Sequence, residues 1–272
     1  MNTFYRVYEK LSWIPWLAEV VDSAVNGEIK NRLPLQKDNG KILSVILNGP
    51  SLNRTLHYLD RNNTDVMMVN LAVETQLYEE LRPEYVCFAD PWYFNPCKRT
   101  YNIQKRIEDV NKNTILFYPS NVKNAVLLKG KNAKKVFSLK RLLDIEAYSV
   151  KLLEKNLLAP YFINVGIMAL YVGIQLGYKK IYLYGADLSM FKELTLNENL
   201  EIESDDVHYY GKQRVNYSKA DRNGYDMTYE MKTWYETFSQ FCIIAKYAEA
   251  KSVKIVNMSD ESMLDCFERF RE

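Results

Sequence analysis

Lys41-Ile42-Leu43-Ser44-Val45-Ile46-Leu47-Asn48-Gly49-Pro50-Ser51-Leu52 is the stretch from which the rest of the chain is read. Its first seven residues are a short apolar run, rich in β-branched side chains and bounded by turn residues. That pattern predicts a buried strand. The run stops at Asn48-Gly49. Gly49 permits a tight turn, and Pro50 fits the first turn of a helix, where no amide donor is needed. Ser51 and the residues after it can start that helix. A strand that breaks at a glycine and enters a helix presents backbone N–H groups that suit a phosphate. In open α/β sheets, ligands gather at the carboxyl ends of the strands. The turn is therefore a candidate nucleotide site, with an ordinary strand-to-helix turn as the plain alternative, since one glycine is far from a full dinucleotide fingerprint.

Working outward, Leu52 to Leu59 suits a helix and Val66 to Val69 a second strand ending at Asn70. Leu71 to Leu81 reads as helix and stops before Pro83. Tyr85 to Ala89 is a third strand, ending at Asp90-Pro91. Ile115 to Tyr118 and Val136 to Ser138 are shorter strand candidates. Asn164 to Gly177 reads as a helix with small residues (Gly166, Ala169, Gly173) along it, and Lys180 to Tyr184 as a strand ending at Gly185-Ala186-Asp187. Residues 188 to about 226 are polar and read as an irregular lid over the strand ends. Met227 to Ala250 is a long helix, Lys254 to Val256 a last strand and Glu261 to Phe270 a last helix. Strands alternating with helices predict an α/β fold, a mostly parallel sheet with helices on both faces.

Asn48, Asn70, Asp90, Asp187 and Asn257 each follow a predicted strand. In a parallel sheet those ends share one edge, so their side chains converge where a ligand is expected. Asn and Asp are also ordinary turn residues. The chain has two histidines. His57 falls in the first predicted helix and reads as a surface or packing residue. His208, in Asp205-Asp206-Val207-His208-Tyr209-Tyr210-Gly211, lies in the lid beside carboxylates, a natural setting for a general base. Asp205, Asp206 and His208 are too close in sequence to make a complete metal cage, and no metal is expected.

The 272 residues, 47% hydrophobic and 26% charged, suit one large domain with an appendage. Residues 1–40 read as an N-terminal helical segment and linker, and 41–272 as the main domain. Tyr5, Val7, Leu11, Ile14 and Trp16-Leu17 form an apolar stripe that packs on that domain; Trp13 and Trp16 with Lys10 and Arg6 leave peripheral membrane contact or a homo-oligomer contact as sharper alternatives. A net charge of +2 gives no case for nucleic acid. There is no signal-peptide pattern and no membrane-spanning run. Cys87, Cys97, Cys242 and Cys266 are scattered, which reads as reduced thiols of a cytoplasmic protein rather than a disulfide frame or zinc site.

The blocks Asn48-Gly49-Pro50-Ser51-Leu52, Asn70, Asp90-Pro91, Gly166 through Gly177-Tyr178-Lys179-Lys180-Ile181-Tyr182-Leu183-Tyr184-Gly185-Ala186-Asp187, and His208-Tyr209-Tyr210-Gly211 fall in a familiar order. Over residues 41 to 270 they resemble the small bacterial sialyltransferases that use CMP-sialic acid to cap lipooligosaccharide. They also resemble a wider group that includes motility accessory factors and hydroxymethylpterin pyrophosphokinases, to which Leu81-Arg82-Pro83-Glu84-Tyr85 leading into Asp90-Pro91 is closer. The resemblance implies a Rossmann-like domain with a lid, binding CMP at the carboxyl edge without a required metal or other cofactor. It implies donor contacts from Asn48, Gly49, Pro50, Ser51, Asn70, Asp90, Asn164, Gly166 and Asp187, and His208 as base on the acceptor hydroxyl. Tyr209 and Tyr210 stand in for two lid tyrosines that hold the leaving phosphate. Asp90 replaces an asparagine of the family, Asn164-Val165 a Thr-Ser pair, and Phe162 an arginine. A carboxylate at Asp90 repels an anionic sugar at close range.

The expected activity is transfer of a sugar from a CMP-activated donor, sialic acid-like or another cytidine-linked sugar, to a hydroxyl of a cell-surface glycan or glycolipid. The chain would act in the cytoplasm, at the inner face of the membrane if the N-terminal segment binds there. An ATP- and Mg²⁺-dependent pyrophosphokinase with Asp90 and Asp187 as metal ligands, and a non-catalytic nucleotide-binding protein, are the alternatives.

Overall fold

A computed structural model describes residues 40–94, 98–120, 122, 131–137, 146–154, 159–217 and 226–271, together with 18, 21, 25 and 33. The predicted N-terminal stripe and the linker Asn26–Asn39 lie outside the described residues, apart from those four positions.

The opening apolar run forms β1 (Ile42–Ile46), which pairs in parallel with β2 (Thr64–Val69) from Ile42↔Thr64 to Ile46↔Met68. Every residue of β2 is buried, as expected for a central parallel strand covered on both faces. The sheet then grows in chain order through β3 (Tyr85–Cys87), β4 (Ile115–Pro119) and β5 (Ala133–Val136). The next strand, β6 (Lys180–Tyr184), returns to the other side of β1. After it, β7 (Leu194–Leu196), β8 (Ile202–His208) and β9 (Gly211–Asn216) form a separate antiparallel sheet. Then β10 (Lys254–Asn257) and β11 (Glu268–Arg269) complete the main sheet beyond β6. Its order is β11-β10-β6-β1-β2-β3-β4-β5, parallel throughout, and the direction of winding reverses between β1 and β6.

Helices cover both faces. On one, α1 (Leu52–Thr55), α2 (Gln76–Leu81) and α3 (Lys98–Val110) enclose a core of Ile46, Leu52, Met68, Tyr78, Ile103 and Ile107. The other face follows α4 (Glu146–Glu154) in the chain and carries α5 (Val165–Gln175) and α6 (Met227–Ala250). All of Gly166–Ile174 is buried, because α5 lies between the sheet and α6; a helix that is apolar all round must be enclosed. Its small residues permit this: a Cβ on Gly173 would sit 2.6 Å from a Leu43 methyl. The second half of α6 buries the stripe Thr237, Gln240, Phe241, Ile244, Tyr247 and Ala248, while its first half stays more open.

At the amino edge, Asp65 ties strands together. Its Oδ1 pairs with Lys41 Nζ at 2.7 Å, and its Oδ2 accepts from the Tyr178 hydroxyl at 2.5 Å. The carboxyl edge remains for the site.

Several stretches depart from the sequence reading. The helices α3 and α4 have no counterpart in it, and the strand expected at Val136–Ser138 is Ala133–Val136. Leu52–Leu59 is one α-helical turn followed by a 3₁₀ turn, Leu56–Tyr58. The segment before α2 is likewise 3₁₀, Asn70–Glu74, and Arg82 ends α2 in a left-handed conformation (φ 45°). The predicted irregular lid, 188 to about 226, is a 3₁₀ turn (Met190–Glu193) and the three-stranded sheet as far as it is described; 218–225 lie outside. Charges hold that sheet in register: Arg214 bonds Asp205 at 2.9 Å and lies 3.4 Å from Glu203 across the β8–β9 pair. Opposite charges across a pair stabilise it without an apolar face. Finally, Glu261–Phe270 is no helix. The Ser262 hydroxyl accepts from Leu264 N and donates to the Ala186 carbonyl at 2.5 Å, a competing local pattern that keeps the chain irregular until β11.

Candidate functional site

The reversal between β1 and β6 opens a cavity of about 920 Å³ at the carboxyl edge. Such a switch point is where a doubly wound sheet binds its ligand, because neighbouring crossovers diverge there. Its floor joins the two strand ends: Leu47 N donates to Tyr184 O and Gly49 N to Gly185 O, each at 2.9 Å. Gly49 is held to glycine by the closeness of this approach. A Cβ there would stand 2.5 Å from the Gly185 carbonyl and nearer still to the Asp187 carboxylate. Gly185 is left-handed (φ 64°), and a Cβ on it would meet the Leu47 carbonyl at 2.6 Å.

Of the predicted site residues, Asn48, Gly49, Pro50, Asn70, Asp90, Asn164, Asp187 and His208 all line this cavity. Asn70 is left-handed (φ 47°), a conformation asparagine tolerates. Its Oδ1 accepts from Ala89 N at 3.3 Å, and Asn164, the N-cap of α5, accepts from Gly166 N at 2.8 Å. Both therefore use the amide oxygen internally and have the Nδ2 donor to offer a ligand. Gly166 lies behind the wall, where a Cβ would meet Leu47 and Phe241. Neither Tyr209 nor Tyr210 lines the cavity. Asn257, the fifth strand-end residue, works inside the scaffold: its Oδ1 accepts from Ser259 N, whose hydroxyl in turn accepts from Ala186 N at 2.7 Å.

The turn differs from the expected phosphate cradle. Asp187 Oδ2 accepts from Ser51 N at 2.9 Å, so the protein's own carboxylate occupies the helix start. Leu52 N and Asn53 N are engaged by the carbonyls of Gly49 and Pro50, and α1 is four residues long, too short for a sizeable dipole. Asp187 is 4% exposed, and burial raises its pKa above the usual carboxylate value while the bonding to Ser51 opposes that rise. Asp187 Oδ1, Asn48 Oδ1 and Ser51 Oγ are buried with no partner among the described residues, positions that a ligand or an ordered water would satisfy.

A stability prediction follows from Asp187. Its folded pKa is raised, so ionisation opposes folding at neutral pH, and the penalty fades as pH falls through the folded value to below the ordinary carboxylate range. Asp187→Asn keeps an acceptor for Ser51 N and removes the charge. Its melting temperature should exceed that of the parent at pH 7 and converge with it under acid conditions; a gap independent of pH would contradict the assignment.

The far wall comes from β8 and α6. His208 ends β8, with Nδ1 3.4 Å from Asp206 Oδ1. The hairpin that carries it is tied to the floor: Tyr209 N donates to the Asn48 carbonyl at 2.9 Å, and Asn53 Nδ2 donates to the Tyr209 carbonyl at 3.1 Å. The Tyr209 hydroxyl lies 2.9 Å from Thr75 Oγ1, and burial raises its pKa. Tyr229, Glu230 and Thr233 on α6, Tyr161, and Lys192 on the 3₁₀ turn also line the cavity and were not singled out from the sequence. They come from a helix face and loops that only the fold brings near the strand ends. Carboxylates dominate the lining: Asp90, Asp187, Glu193, Asp205, Asp206, Glu230 and Glu261 against Lys192 and His208. Among the described residues no three His, Cys, Asp or Glu side chains are arranged to hold a metal ion, and no helix is long and apolar enough to cross a membrane.

A family model described as 6-hydroxymethylpterin diphosphokinase MptE-like matches residues 18–193, more than half of the chain. The fold is also similar to solved sialyltransferases of Campylobacter jejuni. One is CstII in complex with the substrate analogue CMP-3FNeuAc, at 17% identity and a TM-score of 0.44 over 85% of this chain and 86% of that one. Another is the monofunctional alpha-2,3-sialyltransferase Cst-I, at 19% identity and a TM-score of 0.48 over 86% and 82%. Among curated proteins no sequence matches significantly.

Proposed function

The chain belongs to the 6-hydroxymethylpterin diphosphokinase MptE-like family, and from that premise we propose that it is a transferase that moves a sugar from a cytidine-linked donor to a hydroxyl of a glycan acceptor. The observation that carries this reading is the placement of His208, which lines the switch-point cavity together with Asn48, Asn70 and Asn164. The nucleotide lies along the strand ends, where the Nδ2 donors of Asn70 and Asn164 meet its oxygens. Asp206 Oδ1 lies 3.4 Å from His208 Nδ1, on the side away from Nε2, the nitrogen assigned to take the acceptor proton. As that proton moves, the acceptor oxygen bonds to the anomeric carbon, and the bond to the nucleotide phosphate breaks with its electron pair leaving on phosphate oxygen. Lys192 is the lining cation nearest in role to that developing charge. The carboxylate-rich lining favours a donor sugar without an acid group of its own.

The family's name and the same carboxylates favour a second reading, diphosphate transfer from ATP. That chemistry needs Mg²⁺, which one or two of the lining carboxylates together with the nucleotide's own phosphates would hold. A thermal-shift series with CMP, CDP, UDP, GDP and ATP, each with and without Mg²⁺, separates the two. A ligand at about 100 times its Kd stabilises by about 2.7 kcal/mol. Stabilisation by CMP or CDP without metal is the expected result; stabilisation by ATP alone, and only with Mg²⁺, would replace this reading by the second.

A further inference from the structure

We infer that Tyr209 and Thr75 form a positioning pair that sets His208 over the site, an assignment that rests on the reading of His208 as the base. Tyr209 and Tyr210 are the two residues joining β8 to β9, so His208 and Tyr209 are adjacent at the hairpin tip. The tip is held from two directions. Its backbone bonds to Asn48 and Asn53 fix its height above the floor. They leave it able to swing about that hinge, since both fall on the same residue. The Tyr209 hydroxyl supplies the second direction. Thr75 Oγ1 donates to the Ala72 carbonyl at 2.6 Å, so at the 2.9 Å contact it accepts and Tyr209 donates. Thr75 is in turn fixed by Arg106, whose Nη2 donates to its carbonyl at 2.9 Å, and Arg106 pairs with Glu79 at 2.8 Å. A rigid chain thus runs from α3 through Thr75 to the residue next to the base. Neither Tyr209 nor Thr75 lines the cavity, so neither touches a substrate bound there. The Tyr209 hydroxyl, expected from the resemblance to meet a leaving phosphate, is committed to Thr75.

The pair is tested with Tyr209→Phe, Thr75→Val and Thr75→Ser. The chain has two histidines, so proton NMR of the imidazole ring resolves His208 against His57 without isotope editing. His57 sits in the 3₁₀ turn against Tyr58 and serves as the internal control. The expected result is a sharp His208 resonance in the parent that broadens or splits in Tyr209→Phe and Thr75→Val, with His57 unchanged and Thr75→Ser restoring the parent spectrum. With a turned-over donor, kcat should fall about tenfold in the first two variants, the scale of one hydrogen bond, while CMP affinity holds. An unchanged His208 resonance in both variants would overturn the assignment, as would a loss of CMP affinity matching the loss of kcat. Should the spectra behave as expected while His208→Ala retains turnover, the pair stands and the base assignment falls.

Discussion

His208→Ala should lower turnover of a cytidine-linked donor by about 100-fold or more, the usual contribution of a general base, and leave CMP affinity close to that of the parent. The asymmetry is the informative part. His208 stands on the wall made by β8, whereas the proposed nucleotide contacts come from the floor. Its side chain is 31% exposed and its ring lies tilted beside that of Tyr210, at 5.1 Å, so removing it costs the fold little. Steady-state kinetics with separate measurement of CMP binding checks this. Near-full turnover in the variant would remove His208 from the mechanism. A parallel fall in binding and turnover would make it a ligand contact instead.

Gly49→Ala should have the largest effect on the molecule as a whole. The added methyl has no direction in which to relax: on one side is the Gly185 carbonyl, main chain of β6's end, and on the other the buried Asp187 carboxylate. Overpacking a rigid site costs about 1–3 kcal/mol, and here the displaced groups are the floor of the cavity. We expect a loss near the top of that range, read as a fall in Tm, together with loss of nucleotide binding. Gly40→Ala is the control: at φ 71° it too strains the backbone and lowers Tm, but a Cβ there meets nothing within 4 Å and Gly40 does not line the cavity, so it should retain binding. A Gly49→Ala protein that binds nucleotide as the parent does would show that the floor is not where the ligand lies.

The parts of this fold that were legible in the sequence are those stabilised by burial. β1, β2, β6, β10, α5 and α6 are apolar runs or stripes, and their period announces them. Asn48, Asn70, Asp90 and Asp187 were legible as a set because parallel strands must end on one edge. α3 escaped although it buries Ile103 and Ile107; what else escaped was stabilised by polar pairing between residues distant or unremarkable in sequence. Arg214 with Asp205 and Glu203 makes a sheet from a stretch with no apolar alternation. Ser262 keeps the final segment from a helix through bonds to Ala186 and Leu264. Asn257 looked like Asn48 and Asn70 but serves Ser259 and Ser262, because β10 ends beside the loop after β6 rather than at the cavity. The phosphate cradle read from Asn48-Gly49-Pro50-Ser51 is filled by Asp187, 136 residues away from Ser51 along the chain. No local pattern could have announced that contact.

The joint between the hairpin and the floor has a consequence for how this protein can change. Tyr209 meets Asn48 through amide and carbonyl, groups that nearly every amino acid carries. Substitution at either position leaves the joint standing, so descendants of this chain can exchange the side chain at 48 to suit the proposed nucleotide without refitting the arm that carries His208, the proposed base. The two positions touch, yet neither dictates the identity of the other. Donor choice and proton transfer can then diverge at separate rates within one scaffold.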